Sequence, residues 1–233
     1  MRGTVTAVRL LAALAVPVAL GSGGARAAEN GASAHCFAGK ARSALVACKA
    51  AVKADPGSER LHRRLAHVYI EIDQYEDAIV LLTKMAAKWP RSWRPHYDIA
   101  SIYAALQNYK GGIKPIEASL RIKSDNATAL MLAALIYNKV RRRGDAFQAF
   151  RKAAVLGERV AMFQTSFYYE NGLGTRKDPI KAGLWLKRAA EAGHIGAMDR
   201  MTRLYLEGGL GFQPNDKLAE QWATRARRAR YGK

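Results

Sequence analysis

The two cysteines are the residues whose chemistry is most readily predicted. Cys36 and Cys48 are the only cysteines in the chain, and an even count favours a disulfide if the chain is exported. A continuous helix would separate the two residues by about 18 Å, whereas the Cα atoms of a disulfide lie within about 7 Å of each other. We therefore predict a break near Gly39 and a disulfide that ties an N-terminal arm to the first long helix. Two free thiols, or a metal site shared with His35, are the alternatives.

Residues that could carry catalysis are scattered along the chain. No serine or cysteine lies in a nucleophile motif, and no HExxH pair is present. His62 and His96 occupy equivalent positions of a repeat, which indicates a structural role. We predict that the chain is not an enzyme and holds no metal and no cofactor. An enzyme built on a buried polar cluster outside these motifs is a weak alternative.

Residues 1–27 have the features of a secretory signal peptide. Arg2 and Arg9 give a positive start, and an apolar run follows from Leu10 to Leu20. Small residues in Ala25-Arg26-Ala27 provide an A-x-A cleavage site. Because the apolar run is too short to span a bilayer as a helix, we expect cleavage near Ala27 and a periplasmic or secreted mature protein. An uncleaved anchor is the alternative.

The chain is strongly basic, with a formal net charge of +19. Loss of residues 1–27 removes three arginines and no acidic residue, which leaves +16. Such a surplus is typical of nucleic-acid binding, but the predicted export argues against that partner. Anionic lipid, acidic glycan or an acidic protein suits the predicted compartment better. A basic surface that only aids solubility is the other interpretation.

Internal repeats are the dominant pattern of the sequence. Tyr69, Tyr103 and Tyr137 recur at a constant spacing of 34. Apolar residues around each tyrosine recur at three and four, which predicts pairs of amphipathic helices. Ser58, Ser92 and Asp125 precede these helices and are predicted N-caps. Further columns share the same spacing: Ala78, Gly112 and Ala146; Leu82, Ile116 and Phe150.

This pattern resembles the tetratricopeptide repeat (TPR). The resemblance covers about residues 59–156 as three units, and residues 40–57 look like the second helix of a preceding half unit. It implies an all-α fold, a right-handed α-solenoid of stacked antiparallel helix hairpins. The family's first-helix tryptophan is replaced by His62, His96 and Leu130.

A second, longer pattern follows the first. Tyr169 and Tyr205 are offset by 36, and Trp185 and Trp222 are offset by 37. The run from tyrosine through a Gly-rich turn to tryptophan resembles the SEL-one-like repeat, closely over residues 160–195 and less closely over 196–231, where Arg227 replaces an alanine. Both families imply a scaffold and no particular activity. We interpret the Gly-rich segments 172–174 and 208–211 as turns with positive φ.

These patterns divide the chain into four regions. Residues 1–27 are the signal peptide, and 28–57 hold an arm and a half-repeat helix, with 28–35 expected to lack order. Three TPR units occupy 58–157. Two SEL-one-like repeats with a basic C-terminal cap helix occupy 158–233.

The resemblance also predicts a binding face, because the first helix of each hairpin lines the concave side of a solenoid. The predicted groove changes from cationic to apolar and suits a protein or peptide with acidic and apolar residues. Phe163 and Phe167 have an alternative role, packing at the junction of the two repeat classes. The groove residues are Arg60, Arg63, His67, Arg94, Tyr97, Ser101, Met131, Leu135, Asn138, Lys139, Phe163 and Phe167.

The last predicted helix forms a basic surface with Arg225, Arg227, Arg228 and Arg230. This surface is either a solvated cap of the solenoid or a contact with an anionic surface. Together these features predict a non-enzymatic periplasmic scaffold, an adaptor or regulator of envelope assembly, secretion or signalling. A charge-driven binder of anionic glycans or lipids is the alternative.

Overall fold

The computed structural model describes residues 31–38 and 41–232, so the predicted signal peptide of residues 1–27 lies outside the described part. Over the described residues the chain forms α-helices and one isolated bridge, Gly209 with Phe212, but no strand. This confirms the all-α fold. The helices are α1 (Gly31–Ala38), α2 (Ala41–Ala54), α3 (Glu59–Glu71), α4 (Tyr75–Lys88), α5 (Arg94–Ala105), α6 (Tyr109–Ile122), α7 (Ala127–Lys139), α8 (Arg143–Val155), α9 (Arg159–Asn171), α10 (Pro179–Glu191), α11 (Ile195–Glu207) and α12 (Asp216–Tyr231).

The repeat tyrosines close the hairpins through their backbone as well as their rings. In four hairpins the residue before the second helix donates its backbone N–H to the carbonyl of the repeat tyrosine. The bond therefore satisfies one of the carbonyls that a helix end leaves without a partner. The donor and acceptor pairs are Gln74 and Tyr69 (2.8 Å), Arg142 and Tyr137 (2.8 Å), Asp178 and Tyr169 (2.8 Å), and Asn215 and Tyr205 (2.6 Å).

Among the N-caps predicted for the three TPR-like units, one is correct and two are displaced by one residue. Ser58 accepts the N–H of Leu61, as predicted. However, Ser92 does not cap α5, because its hydroxyl donates to Glu59 at 2.5 Å and Trp93 occupies the cap position. The cap of α7 is Asn126, which accepts the N–H of Ala129 at 3.1 Å, and not Asp125.

The Gly-rich turns adopt the predicted positive φ. Gly172 ends α9 in the left-handed region (φ 66°), and Gly208, Gly209 and Gly211 follow α11 at φ 82°, 113° and 86°. Around Gly209 the chain turns back on itself, with Gly209 and Phe212 exchanging backbone hydrogen bonds of 3.1 and 2.9 Å. This turn brings the carbonyl of Leu210 against Gly183 of α10.

The chain divides into two compact units after Lys123. In the first unit, Leu61, Leu65 and Val68 of α3 are buried with residues of α2, including Ala44 and Ala51. The other face of the α3–α4 hairpin, with Ala66, Leu82 and Met85, packs with Ile99 and Ile102 of α5. The small residues of the repeat therefore lie where neighbouring helices approach closely.

The N-terminal arm is more ordered than the sequence suggests. Residues 28–35 are expected to lack order, whereas α1 is helical from Gly31. The reason is that α1 is held on two sides. The predicted disulfide joins Cys36 to Cys48 with Cα atoms 4.6 Å apart, and the Arg64 guanidinium of α3 donates to the Cys36 carbonyl at 3.1 Å. Both cysteines are fully buried.

The second unit begins at Ser124, so it joins the third TPR-like hairpin, α7 and α8, to the SEL-one-like repeats. Phe147 and Phe150 of α8 lie against Tyr168 of α9, at ring-centroid distances of 6.3 and 5.4 Å. Further along, Leu186, Ala189 and Ala190 of α10 form a core with three residues of α11 (Ala197, Met198 and Met201) and with Trp222 and Ala226 of α12. The predicted change of repeat class at 157–158 therefore falls inside a single compact unit.

Candidate protein-binding faces

The first predicted face lies in the first unit on α3 and α5, and we call it the α3–α5 face. Its α3 residues are Arg60, which is exposed, and Arg63 and His67, which are half-buried. The Arg60 guanidinium lies 4.4 Å from the centroid of the Phe37 ring. His67 approaches Asp98 of α5, with Nε2 and Oδ2 3.7 Å apart. These contacts position Arg60 and His67 while leaving the hydrogen-bond donors of the Arg60 guanidinium available.

The α5 side of this face is built around Trp93. Tyr97 lies edge-on to the Trp93 ring at 5.8 Å, and the Arg94 guanidinium lies 5.0 Å from its centroid. Burial, together with the negative charge of Asp98, raises the pKa of Tyr97 to about 12. The phenol therefore remains a neutral hydrogen-bond donor near pH 7. Ser101 is half-buried one turn further along α5.

Two residues of the α3–α5 face escaped the sequence analysis. Trp93 lies just before α5 and supports both Arg94 and Tyr97. Asp98 places a carboxylate, with only 15% of its side chain exposed, beside His67. The face is therefore less uniformly cationic than predicted, although its arginines outnumber its carboxylate. The repeat pattern could not identify Trp93 as part of the face, since the equivalent positions hold Glu59 and Ala127, and neither residue is aromatic.

The remaining predicted groove residues belong to the second unit. Met131 and Leu135 are half-buried on α7, and Asn138 and Lys139 are exposed near its end. Phe163 of α9 stacks on His194 at 4.5 Å with the rings 12° from parallel, and it packs against the α10–α12 core. Phe167 keeps 41% of its surface exposed. Of the two phenylalanines, Phe167 is the one open to a partner.

His194, the partner of Phe163, also caps a helix. Its Nδ1 accepts the backbone N–H of Ala197 at 3.1 Å, at the start of α11. Burial, followed by the positive charge of Arg159, lowers the pKa of His194. Both effects favour the neutral ring that the hydrogen bond requires.

The predicted basic surface lies on α12, where all four arginines are exposed. They differ in their contacts. Arg225 lies over the ring of Trp222 at 4.9 Å, and Arg230 pairs with Asp199 of α11 at 2.7 Å. Arg227 and Arg228 are neighbours in sequence and project to different sides of α12, because successive helical residues are turned by about 100°.

Neither a metal site nor a membrane span is found in the described part of the chain. Residues 31–38 and 41–232 contain no group of three or more histidine, cysteine or acidic side chains placed to hold a metal ion. Among the same residues, the helices are too short or too polar to cross a bilayer.

Comparison with known proteins identifies both repeat classes. The chain matches the Sel1 repeat over residues 159–194 and 197–231, and the tetratricopeptide repeat over residues 38–84. Chitin synthase regulatory factor 3 of Schizosaccharomyces pombe is 34% identical over 83 residues. That match takes in 36% of this chain and only 9% of the yeast protein.

Three examples illustrate the similarity of the fold to solved structures. A crystal structure of MamA is 22% identical, with a TM-score of 0.59, over 71% of this chain and 96% of its own. A Sel1 repeat protein from Oxalobacter formigenes is 22% identical, with a TM-score of 0.58, over 82% and 80%. YrrB, described as a TPR protein with an unusual peptide-binding site, is 16% identical, with a TM-score of 0.56, over 79% and 93%.

Proteins built from such repeats are typically scaffolds for protein–protein interaction and not enzymes. The helix hairpins, the tyrosine columns and the two sets of matching segments lead to one conclusion: the chain belongs to the TPR and Sel1-like family of helical-repeat proteins.

Proposed function

We propose that this chain is an exported, non-enzymatic adaptor or regulator that holds a protein partner on its α3–α5 face. Its setting would be the periplasm, in envelope assembly, secretion or the control of signalling. The signal-peptide features of residues 1–27 support export, and the repeat family supports a protein partner. The partner would present a segment with acidic and apolar residues.

One observation carries this proposal. Arg60, Arg63 and Arg94 of the α3–α5 face have no carboxylate partner among the described residues. Arg60 and Arg94 instead lie over the rings of Phe37 and Trp93, which orders them and leaves their N–H groups free. A guanidinium held in this way binds a carboxylate in a bidentate manner. Aromatic residues beside arginines are also typical anchors of protein interfaces.

Export is tested first. The tagged chain is produced in a Gram-negative host, the periplasm is released by osmotic shock, and the N-terminus of the released protein is sequenced. We expect the protein in the periplasmic fraction with an N-terminus near Ala28. An intact leader on a protein confined to the cytosol would refute the proposed location.

The binding face is tested by photo-crosslinking in the native envelope. A photoreactive residue at Ser101 is compared with one at Val80, which is exposed on the second helix of the α3–α4 hairpin. We expect a protein adduct from position 101 and none from position 80. Charge reversal provides the matched control: Arg63→Glu should abolish the adduct formed from position 101, whereas Lys84→Glu on α4 should preserve it. Equal adducts from positions 101 and 80 would contradict the assignment.

The high positive charge supports a second candidate, a binder of anionic glycans or lipids. The two candidates differ in their dependence on salt. Binding that releases counterions from a polyanion should weaken by orders of magnitude between about 50 and 200 mM salt. Binding to an acidic and apolar protein segment should weaken far less, since part of its free energy comes from apolar burial. Association with the native envelope measured across this salt range therefore separates them.

A further inference from the structure

A groove that the repeat pattern alone does not explain lies between α11 and α12. It belongs wholly to the second unit and has a volume of about 500 Å³. Small side chains line its inner part: Ala226 is buried, and Thr202 and Ala223 are half-buried. Exposed charged and aromatic residues surround them, namely Arg203, Arg227, Arg230 and Tyr231, together with the half-buried Asp199.

The preceding repeat shows what such a groove holds. The repeat spacing places Thr202, Ala223 and Ala226 at the positions of Ser166, Leu186 and Ala189. In that repeat, between α9 and α10, these residues are buried, and Leu186 and Ala189 form a core with α11. The groove between α9 and α10 therefore binds the next helix, α11.

The α11–α12 groove differs from the α9–α10 groove in its charge. Asp199 and Arg203 stand where the preceding repeat has Phe163 and Phe167, and Arg227 and Arg230 stand where it has Ala190 and Gly193. An apolar helix placed here would bury guanidinium groups without a partner, which is strongly unfavourable. The substitutions disfavour another repeat of the same kind and favour a helix that supplies carboxylates.

The charges of the groove are only partly compensated within the chain. Arg230 pairs with Asp199 at 2.7 Å. Within the described residues, Arg203 and Arg227 have no ion pair or hydrogen bond through their side chains. Two guanidiniums are thus available beside a floor of small residues, and Tyr231, 67% exposed, provides an aromatic contact at one side.

We propose that the α11–α12 groove binds a helix of a partner protein. The facing side of that helix would carry Asp or Glu residues three or four positions apart, next to small apolar residues that fit over Ala223 and Ala226. A recessed floor between two helices suits a helix better than a bilayer, which presents a flat surface to the exposed arginines of α12. This proposal is independent of the α3–α5 face, which lies in the other unit.

The chemistry of the occupant is tested with short helix-forming peptides randomised on one face. Peptides are selected for binding to the intact exported protein and counter-selected on its Arg203→Glu/Arg227→Glu variant. Circular dichroism and thermal unfolding confirm that the variant, altered only at exposed positions, is folded. We expect the selected peptides to be enriched in Asp and Glu at three- and four-residue spacing. Peptides without such enrichment would overturn the proposal.

The position of the site is tested with two adjacent arginines. Arg227 lines the groove, whereas its neighbour Arg228 does not. For a selected peptide, we expect Arg227→Glu to weaken binding at least about tenfold and Arg228→Glu less than about twofold. Equal losses would indicate attraction by the whole basic helix and would overturn a specific groove.

A third measurement uses vesicles that contain phosphatidylglycerol. We expect vesicle binding, if any, to fall equally with Arg227→Glu and Arg228→Glu. Vesicle binding that depends selectively on Arg203 and Arg227 would show that the groove holds a lipid headgroup and would overturn the helix proposal. Arg63→Glu should leave peptide binding unchanged, which separates this result from a failure of the α3–α5 face.

Discussion

At the residue scale, His194 has two structural roles, and one of them depends on its protonation state. Its ring stacks on Phe163, its Nδ1 accepts the N–H of Ala197, and burial with nearby Arg159 lowers its pKa. A protonated Nδ1 is a donor and cannot accept this hydrogen bond. Protonation therefore removes the N-cap of α11.

The lowered pKa of His194 fixes the direction of a pH effect. Below the unfolded value of 6.5 the unfolded chain binds more protons than the native one, so stability falls as the pH drops below that value. We expect His194→Asn, which keeps a capping side chain without a titrating group, to flatten the decline in unfolding free energy between pH 7 and 5. Urea unfolding at several pH values measures this slope. An unchanged slope in the variant would show that His194 does not contribute.

Gly183 has no room for a side chain, although its backbone is helical. A Cβ there would lie 2.2 Å from the Leu210 carbonyl oxygen and 2.9 Å from the Phe212 ring. We expect Gly183→Ala to lower the unfolding free energy by about 1–3 kcal/mol, because the turn after α11 must move. Gly144→Ala is the control, since a Cβ there meets only the Gly174 carbonyl oxygen at 3.8 Å. Chemical denaturation should show the control unchanged or slightly more stable.

Residue-level predictions succeeded where one local rule decides the outcome. The disulfide followed from an even cysteine count in a chain predicted to be exported, with helix geometry placing the break between the cysteines, and Ser58 followed from the capping preference. Ser92 failed because a tertiary contact with Glu59 competed with capping. Asp98 was missed because its neighbour His67 lies on another helix. Residue spacing within one repeat does not show which side chains of two different helices approach each other.

At the element scale, the disulfide should matter mainly to α1. Closing this short loop stabilises the native state by about 3 kcal/mol in the chain-entropy model. We expect the Cys36→Ser/Cys48→Ser variant to lose amide protection across α1 and to unfold at lower denaturant concentration. Hydrogen exchange with mass spectrometry reports each helix, and α9 provides an internal reference. Unchanged protection of α1 would mean that Arg64 and apolar packing hold it without the covalent bond.

The hairpin turns show what the repeat pattern could not predict. Asp73, Gln107 and Arg141 occupy equivalent positions of three successive repeats, and all have positive φ, at 62°, 59° and 63°. All three side chains are polar, but none is glycine and only Asp73 belongs to the types enriched at positive φ, so residue type does not reveal this conformation. The hydrogen bonds that the tyrosine carbonyls accept at four hairpins could not be predicted either, because every residue type carries the same backbone carbonyl.

At the scale of the whole molecule, the two units should respond separately to damage. Leu82 on α4 and Leu186 on α10 are both fully buried, each on the second helix of a hairpin. Leucine-to-alanine changes at such sites cost about 2–5 kcal/mol, and repeat proteins transmit stability mainly between neighbours. We expect Leu82→Ala to lower amide protection in α3–α5 and Leu186→Ala to lower it in α9–α12. Equal losses in both units from either variant would instead show one cooperative body.

The fold was predictable in outline because many positions repeat the same constraint. The role of Tyr137 or Ala134 can be misjudged when each is taken alone, but a column of such residues at constant spacing rarely arises by chance. The binding faces were less predictable. Phe163 and Phe167 have the same residue type, and only the tertiary contacts of Phe163 with His194 and the α10–α12 core decide which ring is covered.

The division after Lys123 has a practical meaning for anyone who shortens this chain. A cut at the change of repeat class, between residues 157 and 158, would remove Tyr168 from Phe147 and Phe150 and leave two aromatic rings in water. A fragment ending at Lys123 contains the described helices of the first compact unit and cuts none of them. The change of repeat class and the division into compact units thus fall at different positions, and fragments for expression should follow the division into units.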